Sequence, residues 1–502
     1  MSDGKSKLST NAMLVCLGWG LFLTVNVFFL WGVPLPLSTK MTLAVYDALI
    51  EPYRVSASMS ITLAVFVVFL MFRNRPPHFL CAEWVMWGSL AMLFAGYAVF
   101  VLVSAVSPVS WAFCISGIFI GISNGLLFLF WGELLSVLDF QSTVFALFGA
   151  GAISGLACIG LVLLPELVSY GVVGIILPIT AWLLWLCRQR LLRERAVSAD
   201  DFTLPDSDSL LSGHDAQPDF RSFAIDIARP LFCVMILGLI FNSIREIAFA
   251  DFGSPSVVNL FSLGGLLVVS CLFLVLALRF SIDPPTIDQI YTPLVLVISA
   301  ALVPVPFTPV AYRMVFIVLI SCSYLPAITI IKATCAHLAN KHSVHPFAAF
   351  GFVYFGAFAA VGMGTAVGYL PRMTETFDSF LFVVGIVLAM LYLLMVSLAA
   401  LRSNKNRKGN KQDAPTSTVV ISMNDDELKR RCEQLAESCG VTKSELPVME
   451  MLARRMTFSA ISKELLLSEN TVRSHGKAVY RKLGVHSKDE LVAVVTGKAE
   501  PR

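Results

Sequence analysis

Two sets of side chains in this chain are of types that do chemistry, and they ask for opposite surroundings. Near the C-terminus, residues 468–483 read SENTVRSHGKAVYRKL. On a helix, Val472, Val479 and Leu483 form an inner face, while Glu469, Asn470, Arg473, Ser474, Lys477 and Arg481 point outward. Basic and small hydrogen-bonding groups on one helix face suit acceptor-rich polyanions: Arg grips a guanine edge with two hydrogen bonds, and Lys reaches the same acceptors. Far upstream, Asn26, Asn124, Asn242, Arg245 and Glu246 interrupt long apolar runs, as do Glu133 and Arg313. Such groups are costly in hydrocarbon and are functional candidates by default. Asn242 lies three and four residues before Arg245 and Glu246, so it shares a helical face with both charges. These three are candidate ligand-binding residues. Asn26 and Asn124 are candidates for the same role or for hydrogen bonds between helices, and Glu133 and Arg313 suit positions at interfaces.

The first set needs water and the second needs lipid, and the chain supplies both in separate blocks. Of 502 residues, 57% are hydrophobic and 14% charged, against roughly 25% charged in soluble domains. Most of the chain is therefore solvated by lipid. The net charge of +3 selects no partner, because charge in a membrane protein acts loop by loop. The 11 cysteines are scattered singly, and Cys432 and Cys439 are too widely spaced for a zinc knuckle. No metal and no cofactor is expected. No nucleophile–base pair is found, so no enzyme is expected.

A helical span needs about twenty apolar residues. The runs at 12–34, 56–73, 82–104, 109–135, 143–164, 168–187, 230–250, 256–279, 289–306, 311–332, 346–370 and 378–401 give about twelve. The first is too long for a signal peptide and lacks a cleavage site. Pro304, Pro306 and Pro309 crowd the junction of the ninth and tenth. Lys5, Lys7, Arg73, Arg75, the arginines of 188–195, Arg279 and the cluster 402–411 all fall on one face of this count. The other face keeps little beyond Lys40, Arg54 and Arg372. The positive-inside rule makes the first face cytoplasmic, with both termini inside.

The longest internal connection, 188–229, separates the sixth span from the seventh, and its acidic, turn-rich middle reads as a flexible linker. The fifth and eleventh spans both carry G-x-G-x-x-x-G, at Gly149, Gly151 and Gly155 and at Gly362, Gly364 and Gly368. Small residues four apart let helices approach closely, and their equivalent placement suggests a repeat. A six-plus-six body with a cytoplasmic central loop resembles the major facilitator superfamily, which implies that fold. The Gly-Asp-Arg-rich signature common between its second and third spans is missing from FRNRPPHFLCAEW, so coupled transport is not expected.

Residues 402–424 are polar, basic at the start and broken by Gly and Pro; they read as a tether whose lysines and arginines suit anionic lipid headgroups. A short amphipathic helix at 425–438 puts Leu428, Cys432 and Leu435 on one face. Thr442 and Glu445 form a capping box ahead of a helix with Val448, Met449, Leu452 and Ala453 inside. A second helix at 457–465 buries Phe458, Ile461 and Leu465. After a tight turn, Ser468 caps the third, and Gly484 suits its left-handed stop. A fourth begins at Ser487 and presents Leu491, Val492 and Val494. Two helices joined by a short turn make a helix-turn-helix.

Thr442-x-x-Glu445, Ile461-x-x-x-Leu465-x-x-Ser468-x-x-Thr471-Val472-x-x-His475 and Lys482-Leu483-Gly484-Val485 closely resemble the LuxR-type (NarL/FixJ-type) output domain over about fifty residues. Ser444, Pro447 and Ser462 depart from it, and Pro447 deletes an amide donor just inside the first helix. The resemblance implies that Arg473, Ser474 and Lys477 face base edges. Thr471, His475, Tyr480, Arg481 and Lys482 then contact phosphates, fixing register without reading sequence. It also implies pairing of two heads through the fourth helix on a two-fold DNA site.

These readings add up to an all-α chain: a body of about twelve spans at 1–401, the tether, and a head at 425–502. The expected function is that of a membrane-bound one-component transcription regulator in a bacterial inner membrane, whose body senses a small molecule or membrane state. The alternative is a working solute transporter with an appended regulatory head. Expected partners are promoter DNA, lipid, a second copy, an unidentified small ligand and RNA polymerase. No receiver domain or Walker-type loop accompanies the head, which disfavours phosphorelay and ATP-driven versions.

Overall fold

The computed structural model describes residues 10–30, 43–74, 83–106, 109–200, 219–252, 255–279, 287–373, most of 384–395, 425–454, 456, 461–462, 464–465, 469–485 and 488–495. Among the described residues there are helices and no strands. The chain divides into two compact units, 1–407 and 408–502.

The first unit is built from α1 (Thr10–Leu30), α2 (Leu43–Asn74), α3 (Glu83–Val106), α4 (Ser110–Val137), α5 (Phe140–Leu163), α6 (Glu166–Asp200), α7 (Phe220–Phe252), α8 (Pro255–Arg279), α9 (Ile287–Leu302), α10 (Val310–Lys341) and α11 (Pro346–Met373). Lipid offers no partner to a backbone amide, so every spanning segment must bond within itself as a helix. Among the described residues, ten helices are long and apolar enough to cross a bilayer. α9 is shorter, at 16 residues, because the prolines after it force a 3-10 turn at Val305–Phe307 before α10 can start. The expected twelfth span lies partly outside the described residues; those at 384–385, 387–388 and 390–395 are helical.

The helices outrun the hydropathy boundaries. α6 continues to Asp200 and α7 begins at Phe220, so helix occupies both ends of the expected linker 188–229, and its middle lies outside the described residues. The reason is composition: the stretch after Arg188 mixes Arg and Glu with Leu and Ala, and all four favour helix although the charged ones end the apolar run. α2 likewise starts at Leu43, well before the expected 56. Arg54, counted above among the few charges of the outer face, is therefore inside a helix, and it is buried. Pro52 interrupts that helix and cannot donate to the carbonyl of Ala48; the Ser110 hydroxyl donates to it instead, at 2.9 Å.

Small residues set the close packing. Gly117, Gly121 and Gly125 of α4 face α2, where a Cβ on Gly121 would lie 2.4 Å from the Ala57 carbonyl oxygen. Ser56 and Ser60 of α2 donate across the seam to the carbonyls of Cys114 and Gly117. The arrangement of helices repeats, since α5 packs on α1 and α8 while α11 packs on α7 and α2. The glycine motifs do not follow it. Gly149 faces Cys16 of α1 and Gly151 and Gly155 face α8, whereas Gly362 faces α2 and Gly364 and Gly368 face α7. Exchanging the halves would demand the reverse, so each motif serves its own seam.

The second unit contains α12 (Asp425–Cys439), α13 (Leu446–Ala453), α14 (Glu469–Leu483) and α15 (Lys488–Val495). It has its own core of Cys432, Val448, Met449, Leu452, Ile461, Val472, Val479, Leu483 and Leu491. Gly440 and Gly484 adopt positive φ of 67° and 66°, the left-handed stop that glycine takes without a Cβ penalty. After Gly484 the amide of Val485 returns to the Tyr480 carbonyl at 2.9 Å, closing α14 as the sequence implies.

Candidate functional site

In the head, α14 turns its apolar stripe inward and leaves a polar face outside. Val472, Val479 and Leu483 are fully buried. Ser474, Lys477 and Arg481 are exposed, and their spacing of three and four residues aligns them along one side of the helix. Arg473 sits one turn before Lys477 on the same side; its side chain lies outside the described residues. Of the expected phosphate-contacting residues, Thr471 and Arg481 are exposed, while His475, Tyr480 and Lys482 are half-buried. Lys482 also has work inside the fold: its ammonium lies 2.6 Å from the Glu445 carboxylate, tying the end of α14 to the start of α13.

The capping box forms by half. The Thr442 amide donates to Glu445 Oε2 at 2.7 Å. The Glu445 amide donates to the Thr442 carbonyl at 3.0 Å where the hydroxyl was expected. Residues 443–445 make a turn and α13 begins only at Leu446. That delay puts Pro447 at the second helical position, where a missing amide costs nothing. The hydrogen bond from Lys482 and the backbone bond from Thr442 hold the Glu445 carboxyl down to about 2. Its folded value is depressed, so its contribution is complete above the ordinary carboxylate range and is lost as pH falls toward 2. Glu445→Ala should destabilise the head by about 1–3 kcal/mol at neutral pH. The loss should fade in urea titrations repeated at successively lower pH.

In the body, three of the polar candidates are used within the protein. Glu246 of α7 accepts from Arg54 of α2 at 2.5 Å, and Arg54 also donates to Glu51 at 2.8 Å. Arg245 donates twice to Asn259 Oδ1 of α8, at 3.1 and 2.7 Å. The guanidiniums of Arg54 and Arg245 both lie over the Phe249 ring, 5.4 and 5.1 Å from its centre. Asn242 donates to the Gly238 carbonyl one turn back. Two acids and two bases therefore neutralise one another at the junction of α2, α7 and α8, and all four are buried.

Asn26 and Asn124 lie apart from that network. Asn26 Nδ2 donates to the Phe22 carbonyl at 3.0 Å, while neither polar atom of Asn124 has a hydrogen-bond partner. Glu133 pairs with Arg188 at 3.2 Å near one end of the body. There Asn340 of α10 also donates to the Ser136 carbonyl of α4 at 2.5 Å.

Residues 440–495 match the family described as "Bacterial regulatory proteins, luxR family". The head is a LuxR-family helix-turn-helix domain. No curated protein is similar enough to the chain to match it. Among solved structures, a bacterial homologue of the iron transporter ferroportin in an outward-facing state superimposes with a TM-score of 0.52 at 13% identity, covering 79% of this chain and 100% of its own. The same homologue soaked with iron gives 0.51 at 14%, covering 78% and 99%. The major facilitator transporter FucP, in its outward conformation, gives 0.48 at 11%, covering 78% and 98%. Identities this low speak for fold alone: the body is an integral membrane unit whose helical fold is like that of the ferroportin homologue, and the LuxR-type domain implies DNA binding by the same chain.

Three charged residues escaped the sequence reading. Glu51 and Arg54 precede the second apolar run, and Lys332 ends the tenth, so each passed for a boundary residue. The available signal was charge balance, since Arg245 and Glu246 deep in one helix call for partners, and an acid–base pair three apart at 51 and 54 supplies them.

Proposed function

We propose that the protein is a membrane-bound one-component transcription regulator of a bacterial inner membrane, with both termini cytoplasmic. The major-facilitator-like body senses a small molecule or the state of the membrane, and the LuxR-type head binds promoter DNA as a dimer. One observation carries the reading: a self-contained helix-turn-helix unit with a basic, solvent-facing third helix follows a body of spanning helices in one chain. The Lys/Arg asymmetry of the loops supports the orientation. It puts the head on the side where DNA is. The protein acts by binding, and a ligand controls it by preferring one of two states of the body, which alters how readily two tethered heads meet.

DNA affinity of the full chain in lipid nanodiscs tests this. Lys477→Ala should weaken binding to promoter fragments and relax preference at the base it faces. Arg473→Ala should cost about 1–3 kcal/mol and relax preference at one base position. Retention of full affinity and selectivity by both variants sinks the assignment of this face. Ion-coupled solute accumulation in vesicles would favour a transporter with a reporting head.

A further inference from the structure

Among the described residues, one cation inside a spanning helix, Lys332, lies outside the neutral network and packs on aromatic rings. Lys332 lies inside α10, nine residues before its end, and among the described residues no carboxylate pairs with it. Its ammonium sits 5.5 Å from the centre of the Trp19 ring and 6.0 Å from that of Tyr354. Those rings belong to an aromatic wall contributed by α1, α4 and α11. Trp19 meets Trp131 at 5.7 Å and Phe128 at 5.6 Å, and Phe128 meets Tyr354 at 5.3 Å. Ring faces attract an ammonium only weakly and do not take the place of a counter-ion.

The same wall is rich in unused donors. The indole nitrogens of Trp19 and Trp131 and the Tyr354 hydroxyl are buried and have no hydrogen-bond partner, which in a native core calls for an explanation. Farther along, the contacts Trp19–Trp131 and Phe22–Phe128 set α1 and α4 in antiparallel register. In that register Asn26 and Asn124 come next, roughly 10 Å from the tryptophans at 1.5 Å per residue. Asn124 is fully buried with both polar atoms unpartnered, and Asn26 Oδ1 is unpartnered too.

We propose that Lys332 is the counter-ion of a small organic monoanion, a carboxylic acid with an apolar or aromatic body. The carboxylate takes the ammonium and the neighbouring N–H and O–H donors, the body lies against the rings, and Asn124 receives a polar group at the far end. One unpaired cation selects a single negative charge, and a donor-lined site repels cations. This identifies the effector class of the sensing body and so rests on the reading of the protein as a ligand-controlled regulator.

The test uses the full chain in lipid nanodiscs without DNA, with phenylacetate and octanoate as probes and their uncharged amides as controls. Thermal unfolding followed by tryptophan fluorescence should show a saturable rise in melting temperature with at least one acid, and at least tenfold weaker binding of its amide. Lys332→Gln should abolish the preference for acid over amide, and Lys332→Arg should keep it. Amides binding as tightly as acids, acid binding unchanged in Lys332→Gln, or no saturable binding of either acid at millimolar concentration overturns the proposal. The comparison of acid with amide needs no variant, so it stands even if Lys332→Gln misfolds. DNA is absent, so failure here leaves the DNA-binding reading intact, and loss of DNA binding in Lys477→Ala leaves this one intact.

Discussion

Glu246→Ala should be among the most damaging single substitutions in the membrane body, costing about 3 kcal/mol or more. Breaking a buried ion pair by removing one partner typically costs about 3–5 kcal/mol, because the survivor remains charged where water cannot reach it. Here the survivor is Arg54, which is 6% exposed and held 2.5 Å from Glu246. Glu51 still accepts from Arg54 at 2.8 Å, which places the expected loss toward the lower end of that range. The pair joins α2 to α7, so the loss should appear in cooperative unfolding of the whole body. Arg54→Ala together with Glu246→Ala removes both charges and should recover part of the stability. Unfolding in mixed detergent and denaturant, run as a double-mutant cycle, gives the coupling directly. Single losses that simply add in the double variant would show that the pair contributes nothing.

Gly368→Val comes next. A Cβ at Gly368 would stand 2.5 Å from the Ser243 carbonyl oxygen and 2.6 Å from Glu246 Cβ of α7. Neither is the free end of a flexible side chain, so the helices must separate. Ser243 donates to the Gly364 carbonyl at 3.0 Å across the same seam, and that bond would stretch with them. Overpacking of this kind costs about 1–3 kcal/mol, and the displaced backbone would also disturb Glu246. Gly160→Val is the matched control, because a Cβ there meets nothing within 4 Å. Gly368→Val should lower the melting temperature of the purified protein, and Gly160→Val should leave it near that of the unaltered chain. If the two behave alike, close approach at this seam is not what the glycine secures.

The head was the most legible part of the sequence. Its turn glycine and the core face of its third helix follow from local chemistry: Gly484 stops α14, and Val472, Val479 and Leu483 repeat at helical spacing. The spans were legible as apolar runs, but their ends were not. A run stops at the first charges, whereas a helix stops where its backbone bonds stop. Glu51 and Arg54 fell before the second expected span and Lys332 at the last residue of the tenth, yet all three lie well inside helices. Only the fold, which brings Arg54 of α2 to Glu246 and Asn259 of α8 to Arg245, reveals that these two charges already have protein partners. The two asparagines raise the opposite point. Asn26 and Asn124 stood out in the sequence as polar residues in apolar runs, and the structure leaves them with unspent hydrogen-bonding capacity.

The body is bolted at two levels. Arg54 to Glu246 joins α2 to α7, and Asn340 to Ser136 joins α10 to α4. Ser56 of α2 meets Cys114 of α4, which puts the first bolt near that level. Ser136 is 22 residues farther along α4, roughly 33 Å away at 1.5 Å per residue. If the body holds an effector between these levels, as proposed above, that effector would leave only when one bolt slid. Its residence time would then reflect the rate of that rearrangement as well as binding strength. A regulator built this way would have a memory: its output would track the recent history of the surroundings, and brief fluctuations in effector supply would be averaged out.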